Sequence, residues 1–422
     1  MELKEDGDAI TRRELLAGAA GALGGAVLVG MPGLADAQQG RRLAAPPPPG
    51  PEDPTRLQGA PTSAVGARSR FYAPARTPTG DVTGSSLTPL QDLCGTITPA
   101  DLHFERHHAG VPLLDPARHS LLVHGLVERP LTFSVDDLKR FPQVTRVCFI
   151  ECSGNGRGAF RDPRPELTPQ RIAGLTSNSE WTGVRVRTLL EEAGAKRAAT
   201  WCLAEGADAC LLARSIPIAK MMDDALVAWA QNGEPLRPGQ GFPIRLLLPG
   251  WEGSANVKWL RRLELGSRPS MTRWETSKYT DPLADGTARQ FSFEMDAKSI
   301  ITSPSHPMAI ARGVQQVSGL AWSGRGKIAR VEVSTDAGRT WRDAVLHEPV
   351  LDKAHVRFTH EWAWDGRETL LLSRATDDTG YVQPTRAELT RARGIGTDYH
   401  LNPVYGWRVR ADGRVFFEGD WT

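Results

Sequence analysis

The chain has 422 residues, 40% hydrophobic and 24% charged, enough to bury a sizeable core in roughly two or three domains. Its 51 Lys and Arg against 49 Asp and Glu leave a formal net charge of +2, which excludes a general electrostatic drive toward nucleic acid. After the N-terminal region there is no run of about 18 strongly apolar residues, so no membrane span is expected in the mature chain.

In chain order, residues 1–37 read as an address label. Arg12 and Arg13 precede a short, weakly apolar, Gly/Ala-rich stretch, and Ala35-Asp36-Ala37 fits a small-residue cleavage site. The paired arginines point to twin-arginine export of a protein already folded around a cofactor, and hence to the periplasm; the plainer reading is a cytoplasmic amphipathic start. Residues 38–87 are rich in Pro, Gly, Ser and Arg (RRLAAPPPPGPEDP) and read as a linker, or as an arm over a partner.

Residues 88–295 have a mixed α/β texture. HSLLVHGLV and VTRVCFIE are strand signals, SVDDLKRFP is a short helix capped by Ser134, VRVRTLLEEAGA is a helix stopped by Gly194, and GFPIRLLLPG is a buried strand. From 296 to 422 the grammar becomes short alternating strands, IARVEV and ETLLLSRATDDTG among them, with Gly-containing turns between; that spacing suggests a β-sandwich of about a hundred residues. With 42 Gly and 31 Pro, turns and strands should outweigh helix. The fold class expected is α+β.

Cysteines stand at 94, 148, 152, 202 and 210; an odd number leaves at least one thiol unpaired. No Cys-x-x-Cys-His is present, so no c-type haem is attached to this chain. Cys152 lies in FIECSGNGRGAF, where Gly154, Gly156 and Gly158 leave the backbone open to close approach. A lone cysteine is most often a small buried hydrophobe. The alternatives are a soft thiolate ligand for a metal held mainly by other sulfur donors, with Arg157 helping to keep it charged, and a nucleophile without an evident partner.

Three further segments carry chemistry. FERHH sets Arg106, His107 and His108 together, as a solvated loop or an anion cradle. LLLPGWEGSANVKWLRRL follows an apolar strand with Gly250, Gly253, Asn256 and Lys258, which offers backbone N–H groups and an ammonium to phosphate oxygens, or is an ordinary connection. RWETSKYTDPL supplies the phenol of Tyr279, a donor if it faces a pocket and a packing group otherwise.

The combination resembles the molybdopterin-dependent sulfite oxidase family over roughly residues 88–412, on ITPADLHFERHH, HGLVERPLTFSVDDLKRFP, ECSGNGR, SIPI, NGEPLRPGQGFPIRLLLPGWEGSANVKWL, AWSGRGKIARVEVSTDAGRTW and TGYVQP. FERHH, PGWEGSANVKWLRRLELG, ETSKYTDPL and MDAKSIITSPS look most like the molybdenum subunit of Sox-pathway sulfane (sulfite) dehydrogenases. The resemblance implies a molybdopterin-binding domain followed by an immunoglobulin-like dimerisation sandwich. It implies Cys152 as the protein ligand of molybdenum, and His108, Asp208, Arg245, Asn256, Val257 and Lys258 as contacts of the pterin and its phosphate. It places Arg106, Arg157, Arg393 and Tyr279 at the substrate site.

The implied activity is oxidation of sulfite, or of sulfane sulfur bound to a carrier protein, by oxygen-atom transfer. The electrons would pass to a separate c-type cytochrome subunit, and the assembly would be a homodimer or a heterotetramer. Four departures weaken free sulfite as the substrate: His107 stands where the family commonly has asparagine, Gln240 where it has histidine, Lys278 where an aspartate precedes the tyrosine, and the segment after Arg157 lacks the tryptophan that vertebrate enzymes have near their sulfate site. The rival readings are another enzyme of the same fold, such as a sulfoxide reductase, which would lack the sandwich, and a cofactor-free binding scaffold.

Overall fold

The structure, a computed structural model, describes residues 58–283, 285–394 and 396–419. Residues 1–37, expected as an export signal, and residues 38–57 of the expected arm lie outside the described residues, and residues 58–65 carry no helix or strand.

Among the described residues the longest helices, Val186–Ala193 and Arg386–Arg393, have 8 residues, so sheets organise the molecule. Local chemistry sets the helix ends. Ser134 caps Val135–Leu138 through a reciprocal box, its hydroxyl accepting from the Asp137 N–H while the Asp137 carboxylate accepts from the Ser134 N–H. Val186–Ala193 stops where Gly194 takes φ 71°, a conformation costly to any residue with a Cβ.

Two sheets build the first half. One is antiparallel, in the order 234–235, 226–231, 176–185, 143–151, with 245–247 also pairing to 226–231. The other runs 131–134, 120–125, 260–266, 201–206, 213–217, with only 120–125 and 260–266 parallel. Their apolar faces and the helix 186–193 enclose one core containing Leu121, Val184, Leu189, Ile244 and Leu263.

Two further antiparallel sheets form the second half: 298–303, 313–322, 356–364, 345–346, and 342–343, 328–334, 369–377, 406–409, 415–418. Val317, Phe358 and Trp362 of one share a single apolar cluster with Val331, Leu371, Ala375 and Trp407 of the other. Such interleaving of inner faces is what makes a β-sandwich.

The strand Gln143–Glu151 joins the halves. Its burial is intermittent up to Val147 and continuous from Cys148 to Glu151, because both faces are covered there. Phe149 enters the sandwich's apolar cluster, and full burial of such a ring stabilises by about 2–3 kcal/mol. Glu151 pairs with Lys298 of the second half and accepts from the indole N–H of Trp322.

Residues 77–87, expected in the arm, form two strands. Thr77–Gly80 pairs with Gly84–Leu87, which pairs in turn with Glu105–His107. The turn between them needs Gly80 at φ 74° and leaves no room for a Cβ at Gly84, so Gly, Thr and Ser composition concealed a hairpin.

Candidate active site

The 143–151 strand delivers Cys152 to a loop that the surrounding backbone holds tightly. The Cys152 N–H donates to Leu175 O, and the Asn155 side chain bridges Glu151, Ala173 and Leu175. The loop's glycines answer first to the chain's own packing. A Cβ on Gly156, at φ 96°, would strike the Tyr405 hydroxyl, and one on Gly154 would come 3.1 Å from Nη2 of Arg157. Across the site Gly253 lies on the same backbone: its N–H donates to Glu151 O at 2.6 Å, and a Cβ there would stand 3.3 Å from Cys152 Cα.

Two cavities meet at Cys152, an inner one of about 60 Å³ and an outer cleft of about 740 Å³; Arg106, His108, Cys152 and Tyr279 line both. Burial raises the Cys152 thiol, while a Gly154 backbone contact and the charges of Arg106 and Arg157 oppose it.

The inner cavity contains cations that no described carboxylate pairs with directly. Lys258 donates to Arg106 O, Gly239 O and Nδ1 of His107, and Arg245 to Gln240 O and Asn256 O; no described carboxylate pairs with either. Burial, aided by Arg245, depresses Lys258 well below the usual lysine range; burial also lowers Arg245 to about 9. His107 carries the network outward to Glu105, which pairs with Arg76. Asp208, the acid of this cavity, is tied to Leu212 N–H and the Cys210 thiol.

At the junction, Nε2 of His108 and the hydroxyl of Tyr279 are hydrogen-bonded at 2.8 Å. Burial, then Arg106, lowers His108 to about 4, and burial, then Cys152, raises the Tyr279 phenol, so both are neutral near pH 7. The outer cleft presents Arg106, Arg157, Arg171, Arg273 and Lys278, with no carboxylate among the described residues that line it.

Cys152, His108, Asp208, Arg245, Asn256, Val257, Lys258, Arg106 and Tyr279 therefore converge on the inner cavity, and Arg157 on the outer cleft. Asn256 does so with its side chain already engaged, accepting from Leu248 N–H and donating to Trp251 O and Glu252 O. Arg393 lines neither cavity: it ends the helix 386–393 and pairs with Asp296 at 3.0 Å. Arg171, Arg273 and Tyr399 were not singled out from sequence, and Lys278 only as a departure from the family's aspartate.

The family model described as "Oxidoreductase molybdopterin binding domain" matches residues 108–274, and "Mo-co oxidoreductase dimerisation domain" matches 289–405. The chain is 32% identical over 330 residues to mitochondrial sulfite oxidase of Rattus norvegicus, covering 71% of this chain and 59% of that one. It is 32% identical over 333 residues to sulfite oxidase of Gallus gallus, covering 72% of each. The crystal structure of the sulfane dehydrogenase SoxCD from Paracoccus pantotrophus superposes with a TM-score of 0.83 at 43% identity, covering 86% of this chain and 97% of that chain. The chain thus spans about three fifths of the rat enzyme's length.

Proposed function

The chain belongs to the sulfite oxidase family of molybdopterin-dependent oxidoreductases, and on that premise we propose that it oxidises sulfane sulfur bound to a carrier protein, with free sulfite as a lesser substrate. The residues present fit the family's cofactor. Cys152 offers one soft sulfur donor open to a cavity, and Arg245 and Lys258 are buried cations lacking the anion that a pterin phosphate supplies. Cys152 would hold the metal; His108, Asp208, Arg245, Lys258 and the 256–257 backbone would hold its organic part. When bound, the molybdenum centre supplies two-electron oxygen-atom transfer to a sulfur lone pair.

The chain's own residues bind and orient. Arg106 and Arg157 hold the anionic group by charge-assisted hydrogen bonds and stabilise charge growing on its oxygens. Tyr279 keeps its proton and, anchored by neutral His108, orients the sulfur or passes that proton on. For sulfite the balance is one sulfite and one water giving one sulfate, two protons and two electrons. With no haem-attachment motif in the sequence, the electrons go to a separate c-type cytochrome, and the sandwich pairs two copies of the chain. Residues 1–37 are read as its twin-arginine signal, which places the working protein in the periplasm.

The single observation carrying this reading is that the Cys152 thiol opens on one side to buried cations without a directly paired carboxylate among the described residues and on the other to a wide, cationic cleft. A cleft of about 740 Å³ is roomier than sulfite requires and accommodates a sulfur borne on a polypeptide. Steady-state kinetics on the molybdenum-loaded protein, with a c-type cytochrome as acceptor, test it. The expectation is turnover of both substrates and a higher kcat/KM for carrier-bound sulfane sulfur. A preference for free sulfite overturns the substrate class, and exported protein without molybdenum overturns the enzyme.

A further inference from the structure

Arg157 is held from behind by one segment of the second half of the chain. Its Nε lies 3.2 Å from a carboxylate oxygen of Asp398 and 3.4 Å from the Asp398 carbonyl, and its guanidinium stands 5.4 Å from the centre of the Tyr399 ring. Nη2 faces the backbone at Gly154, where a Cβ would come within 3.1 Å of it. Asp398 also takes Arg161 at 2.7 Å, and its own N–H is fixed by Asp281 at 2.8 Å. The next residue, Tyr399, packs its ring 5.3 Å from that of Tyr279, and the one after, His400, donates its N–H to Ser153 O. Three consecutive residues thus touch Arg157, Tyr279 and the Cys152 loop.

We infer that Asp398 is a positioning residue, whose carboxylate pairs with Arg157 while its carbonyl accepts from Nε, so that the two terminal nitrogens are presented to an oxyanion in the cleft. The geometry carries this. A guanidinium has five N–H donors in a rigid plane, so fixing the Nε edge sets the direction of the other four. Arg161 shares the carboxylate, so Asp398 is not left uncompensated when an anion draws on Arg157. Gly154 is small because the presented guanidinium lies over it. The inference rests on the sulfur-oxidising reading of this cleft, and the test has an arm independent of turnover.

On molybdenum-loaded protein, two quantities are compared for wild type, Asp398→Ala, Asp398→Asn, Arg157→Gln and Asp398→Ala/Arg157→Gln. These are KM and kcat for sulfite, and the Kd of inorganic sulfate by calorimetry. Asp398→Ala should raise both KM and Kd about tenfold with kcat within about twofold, a coupling of about 1.4 kcal/mol. Asp398→Asn, which keeps the side-chain oxygen but not its charge, should recover part of the loss. In the Arg157→Gln background Asp398→Ala should add nothing. Additive losses, or an unchanged Kd in Asp398→Ala, overturn the inference. Sulfate binding that follows this pattern in a protein that oxidises neither substrate would leave it standing while the sulfur-oxidising reading falls.

Discussion

The carboxylate of Glu151 and the ammonium of Lys298 lie 2.5 Å apart, both almost wholly buried, at the joint between the first half and the sandwich. The residue after Glu151 is Cys152, so this pair anchors the thiol-bearing loop to the second half. Removing one partner of such a pair costs about 3–5 kcal/mol, because the other charge is stranded. Lys298→Met should therefore lower unfolding stability by that much in chemical denaturation, and Glu151→Gln/Lys298→Met should recover part of it. Wild-type stability in the single variant would show that the pair does not hold the joint.

Cys152→Ser should abolish turnover and molybdenum retention while the circular dichroism spectrum and melting profile stay near those of the wild type. The side chain lines two cavities and packs only at the edge of the cluster of Phe104, Ile150 and Trp181, so its exchange for a serine of similar size removes a ligand more than a core contact. Metal analysis of purified protein decides it, and retained molybdenum with retained activity counts against the assignment.

Lys258 gives a prediction of opposite signs. Its charge is buried beside Arg245 and Arg106 with no paired carboxylate among the described residues, a cost that a bound phosphate would relieve. Lys258→Met should lose the pterin, read by its fluorescence after denaturation, and yet raise the melting temperature of cofactor-free protein. A variant that is less stable without cofactor than the wild type would refute the uncompensated-charge reading.

The cleft's charge should show in salt dependence. For an anionic substrate, kcat/KM should fall several-fold between low salt and about 0.15 M, where the screening length is about 8 Å. Arg273→Gln/Lys278→Gln, both exposed on the cleft, should flatten that slope without altering molybdenum content. A slope unaffected by the double change would mean that these charges do not steer the substrate.

Acid should destabilise the fold through His355. Burial, then Arg357, lowers this histidine to about 3; it sits between Phe149 and Trp322, with Nε2 hydrogen-bonded to the hydroxyl of Thr176. The unfolded chain takes up a proton near pH 6.5 that the folded site refuses. The stability from keeping it neutral is whole above that pH and is lost as pH falls toward 3, by at most about 1.4 kcal/mol per unit. Denaturation curves at pH 5 and 7 should differ less for His355→Phe than for the wild type; equal differences would remove His355 as the cause.

Much of the site was legible because its chemistry needs expensive residues in short stretches. ECSGNGR and WEGSANVK named the two backbones that meet at Cys152, and FERHH named the strand that faces them. What stayed hidden is long-range. Arg171 lies in a short helix whose pattern says nothing of the cleft, and Tyr399 follows a glycine-rich turn more than a hundred residues from Tyr279, which it packs against. Arg393 is captured by Asp296 at the helix end, and from that region it is Tyr399 that lines the cleft.

The hairpin at 77–87 and Tyr399 of the segment at 398–405 line the same cleft beside Cys152, from opposite extremes of the described chain. A ribosome releases the first of these some three hundred residues before the second, so a chain halted between them cannot wrap its prosthetic group. Insertion must wait until residues 398–405 have been made, and a stop codon just ahead of them would leave a chain that gathers the metal's binding surfaces without ever closing them.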